Sequence, residues 1–377
     1  EGLEGDYTTM TAWQAGELRD LVALGETETL ECYNDWPEGL AENINITGWT
    51  TGPANGITIR AASGQGHGGV VDAGFTLRNV GSIAPLTVTQ RYVGAIGLQV
   101  SNSRTTSPTS GVVTLNASDC FIDKCILTAE SLSGRALAIG EGDVATNCLI
   151  KVELSTNTGV GISIGRNQNS TIMNCTVIGA FYNFQKVEAG NTAGTITNCV
   201  GVDHAGGADF NVSALDPDGA TFNASSDLSA TGEGAVTGVS GADFVDYDNG
   251  DYTPKQFGKL GETGLDLSEF FTTDIAGDER VVPWSIGAYI ALAEEFFIQF
   301  IGPDVPTLTG SRDVVLPDPT PDPSMDTRFI ASGTVTYSLQ SGILPEGVTV
   351  DPATGNLVGT PIVFGDFLDI VVRGKLE

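Results

Sequence analysis

The chain carries two histidines, His67 in "GQGHGG" and His204 in "VDHAGG". Either could serve as a general base or a metal ligand, but an isolated histidine is more often a turn or rung residue. The acids Asp119, Asp123, Glu130, Glu141, Asp143 and Glu153 are the natural source of a catalytic pair. Glycoside hydrolysis needs two carboxylates a few ångströms apart, and β-elimination needs an Arg or Lys base beside calcium-bound carboxylates. Folding could bring these acids to one groove or leave them as solvated rim charges. "DYDNGDY" at 246–252 resembles a calcium loop, yet Gly250 stands where a third ligand is required and the closing bidentate Glu is missing. No catalytic, cofactor-binding or metal site is therefore assigned, and no cofactor is expected.

The cysteines follow a different logic. Cys125, Cys148, Cys175 and Cys199 recur every 23 to 27 residues, a period typical of stacked repeats. Ile122, Ala145, Ile172 and Ile196 stand three residues before them, and Leu127, Ile150, Val177 and, as the exception, Gly201 stand two after. Strand alternation has period two, so positions −3 and 0 can face one core only if the chain turns a corner between them. Lys124, Asn147, Asn174 and Asn198 occupy the position before each cysteine, and Asn is the non-glycine residue that best tolerates a left-handed bend. Short β-rich pieces follow within each turn: "RALAIG", "GVGISIG" and "AFYNF". With Thr, Val, Ile and Gly abundant and no sustained helical stripe, the repeat is expected to stack strands. The cysteines and asparagines then form structural ladders, the thiols as small buried groups in one column of the core.

These residues resemble the right-handed parallel β-helix family, pectate-lyase-like, over about residues 40–290. The resemblance implies a coil of three sheets with internal asparagine and aliphatic ladders. Residues 246–289 look like the closing rungs of such proteins, with Asp274, Gly277 and Arg280 in a D-x-x-G-x-x-R stretch and Ile286, Gly287, Ala288 and Tyr289 ending it. Many members are polysaccharide lyases or hydrolases. Gly-His-Gly occurs in polygalacturonase-like enzymes, but the N-T-D, adjacent aspartates and R-I-K that accompany it there are not found here in the required order. After residue 291 an apolar stretch leads into the Pro-rich "LPDPTPDPSMD", and "VTYSLQSGILPEGVTVDPATGNLVGTP" resembles an immunoglobulin-like module of bacterial surface and phage proteins. The expected architecture is all-β: a cap region over 1–40 with a short amphipathic helix carrying Met10, Trp13, Leu18, Leu21 and Leu24; a right-handed parallel β-helix solenoid over 41–295; and an Ig-like β-sandwich with a Pro-rich insertion over 296–377.

A net charge of −30 repels phosphate backbones and anionic membrane surfaces, so nucleic acid is excluded as a partner. No apolar run reaches the 18 or so residues of a membrane span, so no membrane insertion is expected. The stretch "YTTMTAWQAGELRDLVALGETETLECYND" resembles phage structural proteins. The leading expectation is a non-enzymatic structural protein on the virion surface, either capsid decoration or a tail fibre or spike. Its partners would be other capsid or tail proteins, further copies of itself in a homo-oligomer such as a trimer, and a host-surface glycan. The alternatives are a secreted or cell-surface polysaccharide lyase or hydrolase, and a bacterial adhesin.

Overall fold

The computed structural model describes residues 6–79, 83–102, 111–155, 158–165, 169–186, 194–212, 219–256 and 258–291, and, near the C-terminus, 296–298, 335–341, 344, 347–353, 357–359 and 371–376. The chain divides into two compact units, Glu1–Leu292 and Ala293–Glu377.

In the first unit short strands build three sheets of eight, nine and seven strands, in which each strand pairs with the third one before and after it, except that Val236–Thr237 closes the second sheet against Ala224–Ser225, the strand just before it. All these pairings are parallel and in register, as along Ile122, Ala145, Ile172 and Ile196. This is the expected parallel β-helix, with the right-handed crossover that parallel strands take. Its first coil consists of Glu28–Cys32, Leu40–Ala41 and Ile44–Ile46, so the coil begins inside the region assigned to the cap. The first sheet ends at Ala220–Thr221, the second at Val236–Thr237 and the third at Ala208–Asn211.

A single left-handed residue makes the corner between the first and second sheets. Gly97, Lys124, Asn147, Asn174, Asn198 and Phe222 occupy it, with φ of 65°, 53°, 49°, 49°, 54° and 52°. The corner reverses the alternation, which is why Ile122 and Cys125 both lie fully buried in one core. That core runs unbroken from Met10 and Trp13 to Phe210 and Ala230, and includes the stacked rings of Phe184 and Phe210 at 4.7 Å.

Two short helices, Met10–Glu17 and Leu21–Leu24, cover the first coil. Thr9 and Asp20 cap them by accepting hydrogen bonds from Ala12 N and Ala23 N. Met10, Trp13 and Leu21 are buried as expected, whereas Leu18 and Leu24 are about half exposed, at 48% and 56%. The break between the helices ends the single stripe that the spacing suggested.

Residues 239–290 depart most from expectation. Instead of closing rungs they form a strap that lies on the outside of the second sheet. Val239, Phe244, Tyr252, Leu260, Ile275, Ile286, Ala288 and Tyr289 pack on the outward side chains Ile126, Leu149, Ile178, Val200 and Val202. The strap also reaches the second coil, where Tyr289 Oη donates to Gly69 O at 2.6 Å. The second sheet demands such a cover because its strands are apolar on both faces, as in "CIL", "CLI" and "TVI".

In the second unit Phe296–Ile298, Val335–Ser341 and Val371–Leu376 form an antiparallel sheet, and Val348–Val350 pairs with Leu357–Gly359. The Pro-rich run at 316–326 lies outside the described residues. These strands alone do not establish the immunoglobulin-like sandwich expected there.

Candidate functional site

The corner residues do two jobs. Their backbones turn the chain, and their side chains point outward to hold the strap. Lys124 Nζ donates to Thr273 Oγ1 at 2.6 Å, and Asn147 Oδ1 accepts from Arg280 Nη2 at 2.9 Å. Asn174 Nδ2 donates to Gly287 O at 3.2 Å, and Asn198 both donates to Leu265 O at 2.7 Å and accepts from Leu265 N at 2.8 Å. Only one direct link joins two of these asparagines, Asn198 Nδ2 to Asn174 Oδ1 at 3.3 Å. The column is thus chiefly an outward binding strip beneath the strap, and not the internal ladder that the resemblance implied.

The D-x-x-G-x-x-R stretch folds into the clamp on that strip. Asp274 Oδ1 accepts from the backbone N–H groups of Ala276, Gly277 and Asp278, and Oδ2 accepts from Ile290 N at 3.0 Å. Gly277 supplies the left-handed turn, at φ 96°. Arg280 is buried, donates also to Gly287 O and Ala288 O, and lies over the rings of Trp284 at 5.2 Å and Phe271 at 6.0 Å. Burial lowers its pKa to about 10, against the opposing pull of Asp274.

Cys125, Cys148, Cys175 and Cys199 line the core side of the same corner as free, fully buried thiols. Each donates to the carbonyl two residues earlier, at 3.4, 3.1, 3.4 and 3.3 Å respectively. Burial pushes the thiols of Cys125, Cys148 and Cys175 well above the usual range. Asn223 ends the column, accepting from Cys199 N at 2.9 Å and donating to Ile196 O at 2.8 Å.

The residues singled out for chemistry are mostly spread apart, Glu130 and Glu153 on neighbouring strands being the exception. His67 Nδ1 accepts from Gly69 N at 2.9 Å, so Nε2 carries the proton and donates to Lys124 O at 2.7 Å. The ring is a buried turn lock, and its burial lowers its pKa. Asp119 pairs with Arg91, and Asp123 accepts from Thr146 Oγ1 at 2.7 Å and Asn147 Nδ2 at 3.1 Å. Asp143 is fully buried and accepts from Cys120 N at 2.9 Å and Gly140 N at 2.6 Å. Desolvation raises its pKa to about 6. Glu141 and Glu130 are exposed, and Glu153 pairs with Lys151 at 2.6 Å. The "DYDNGDY" acids make a hairpin between Phe244–Asp246 and Asp251–Pro254, where Asp246 accepts from Asn249 Nδ2. Among the described residues no group of three or more His, Cys, Asp or Glu is placed to hold a metal.

Sequence reasoning missed Asp209. It lies fully buried at the last coil, accepting from Asn183 Nδ2 and from Ser226 N and Oγ, each at 2.6 Å. Burial raises its pKa, opposed by the Ser226 hydrogen bonds. Next to it Asp227 faces His204 Nε2 at 3.5 Å and accepts from Ser229 N at 2.9 Å. The signal was present at Gly201, the one break in the aliphatic column. A Cβ there would lie 2.7 Å from Asp209 Cβ, so glycine leaves the space that the carboxylate fills. The network closes the end of the coil, and its hydrogen bonds already occupy both oxygens of Asp209.

At the other end, a cleft of about 330 Å³ lies between the capping helix and the first coil, walled by aromatic rings and carboxylates.

The fold is similar to the crystal structure of pectate lyase Pel9A, at 14% identity over 75% of this chain and 91% of that chain, with a TM-score of 0.38. No family model matches the sequence, and no curated protein matches it.

Proposed function

We propose that the protein is a non-enzymatic structural component of a phage particle surface, a capsid decoration protein or a tail fibre or spike. The observation that carries the non-enzymatic part is the strap. The chain covers the outer face of its second sheet with its own residues, and it commits the adjoining corner column to holding them. A polysaccharide-cleaving site would need paired acids on an open face, whereas most of the candidate acids are separated and tied to local partners. Parallel coils in register with an unbroken core suit a stiff, protease-resistant arm. The assignment to a virion rests on the resemblance of the N-terminal stretch to phage structural proteins, because a fold by itself does not fix a function.

Mass spectrometry of density-purified particles beside the cleared supernatant tests this reading. Recovery in fixed ratio to the major capsid protein supports it, and recovery only as free protein overturns it.

One observation favours an enzyme instead. Glu130 and Glu153 project from neighbouring strands of the second sheet, flanked by the paired positions Ala129–Val152 and Ser131–Leu154. Strand spacing sets their backbones about 4.8 Å apart, which lets the two carboxylates approach the separation of a retaining hydrolase pair. Release of reducing ends or unsaturated products from acidic polysaccharides, abolished in Glu153→Gln, would establish that alternative.

A further inference from the structure

The cleft at the N-terminal end has an unusual lining. Trp13, Tyr33 and Trp36 contribute rings and Glu28, Glu31 and Asp35 contribute carboxylates, while no Lys, Arg or His lines it. Two of the donors that the wall holds are directed at its own acids. Trp13 Nε1 donates to Glu28 Oε1 at 3.2 Å, and Tyr7 Oη donates to Glu17 Oε1 at 2.6 Å. Arg19 and Arg60 bind Glu28 and Glu31, each at 2.6 Å, without themselves lining the cleft. Asp35 makes no ion pair among the described residues. What the cleft offers a ligand is carboxylates and the negative faces of rings, with no charged donor among them, over an apolar floor that includes Leu40 and Phe75.

A neutral sugar ring makes no use of the negative charge of this wall. An alkylammonium ion matches on every count. Its charge is attracted by ring quadrupoles and carboxylates together, its methylene or methyl groups suit the apolar floor, and the −30 net charge of the chain draws cations toward it. We infer that this cleft is a binding site for an alkylammonium group, of the kind carried by a lysine side chain or by a choline-like head group. The inference stands on the cleft alone and does not depend on the particle reading above.

Tryptophan fluorescence and heteronuclear NMR of the full chain, titrated separately with choline, with Nα-acetyl-lysine methylamide and with 3,3-dimethylbutanol, test it. The last compound has the shape of choline without its charge. Saturable binding of at least one ammonium compound is expected, at least about tenfold tighter than that of the uncharged isostere. Preference between choline and the lysine derivative identifies the source of the group. Trp36→Ala is expected to weaken binding by about tenfold, and Asp35→Asn to weaken it while leaving the melting curve unchanged. Equal binding of the isostere, no saturation by either ammonium up to about 100 mM, or full affinity in both folded variants would each overturn the inference.

Discussion

Asp143 shows how a single side chain can set a pH dependence. Its folded pKa is raised to about 6 by desolvation, above the unfolded value of 3.8. The stability linked to its protonated form is therefore fully present below about 3.8 and is lost as pH rises through about 6. A shift of this size corresponds to about 3 kcal/mol. Chemical denaturation at pH 5 and pH 8 should show the wild type losing more stability on the alkaline side than Asp143→Asn, which has no group to ionise. Parallel curves would refute the assignment. The cysteines give a second test at this scale. All six are buried, so a thiol-specific chromogenic reagent should react with almost none of them in the native protein and with six after denaturation. At this scale the sequence was legible where backbone geometry decided the residue type. Asn before three of the four column cysteines announced a left-handed corner, and Gly201 stood out as the exception in the aliphatic column, but neither identified its partner. Asn147 meets Arg280, and Gly201 makes room for Asp209, across separations that no local pattern encodes.

The strap shows where motif reading stops at the level of elements. Asp274, Gly277 and Arg280 were visible as a spaced set, and the structure explains the spacing as a carboxylate-centred turn that delivers a guanidinium to Asn147. Their placement outside the coil was not visible, because the apolar alternation of a strap resembles that of a rung. The better clue was the second sheet, whose outward Ile126, Leu149 and Val200 require a cover. If Arg280 anchors that cover, Arg280→Ala leaves Asn147 Oδ1 without the donor that ties it to the strap and takes one of two donors from each of the carbonyls of Gly287 and Ala288, at a cost of about 3 kcal/mol. Hydrogen exchange should then show Ile286 and Gly287 losing protection while Ile172 and Ile196 in the coil keep theirs. Equal loss in both would mean that strap and coil unfold as one unit.

For the whole molecule, composition and repeat period were enough to read an all-β parallel coil, since a stack of in-register strands imposes the same residue types turn after turn. Boundaries were harder, because the first coil starts at Glu28 and its one cysteine, Cys32, ends a strand instead of following a corner, so it stands outside the repeating column. Charge bears on assembly. Each copy carries −30, so the association of three identical chains that we propose with the virion role must overcome mutual repulsion that salt screens over about 10 Å at 0.1 M. Exposed apolar side chains such as Phe270, Val281 and Val282 on the strap can drive association once that repulsion is reduced. Sedimentation velocity should therefore show the oligomeric fraction rising as NaCl is raised from about 20 mM to about 500 mM, where the Debye length shrinks to a few ångströms. A fall over that range would instead point to an interface held by ion pairs, drawing on the few basic side chains of an acidic protein. A sedimentation coefficient that stays monomeric at every salt concentration would end the trimer proposal and leave a single coil as the working unit.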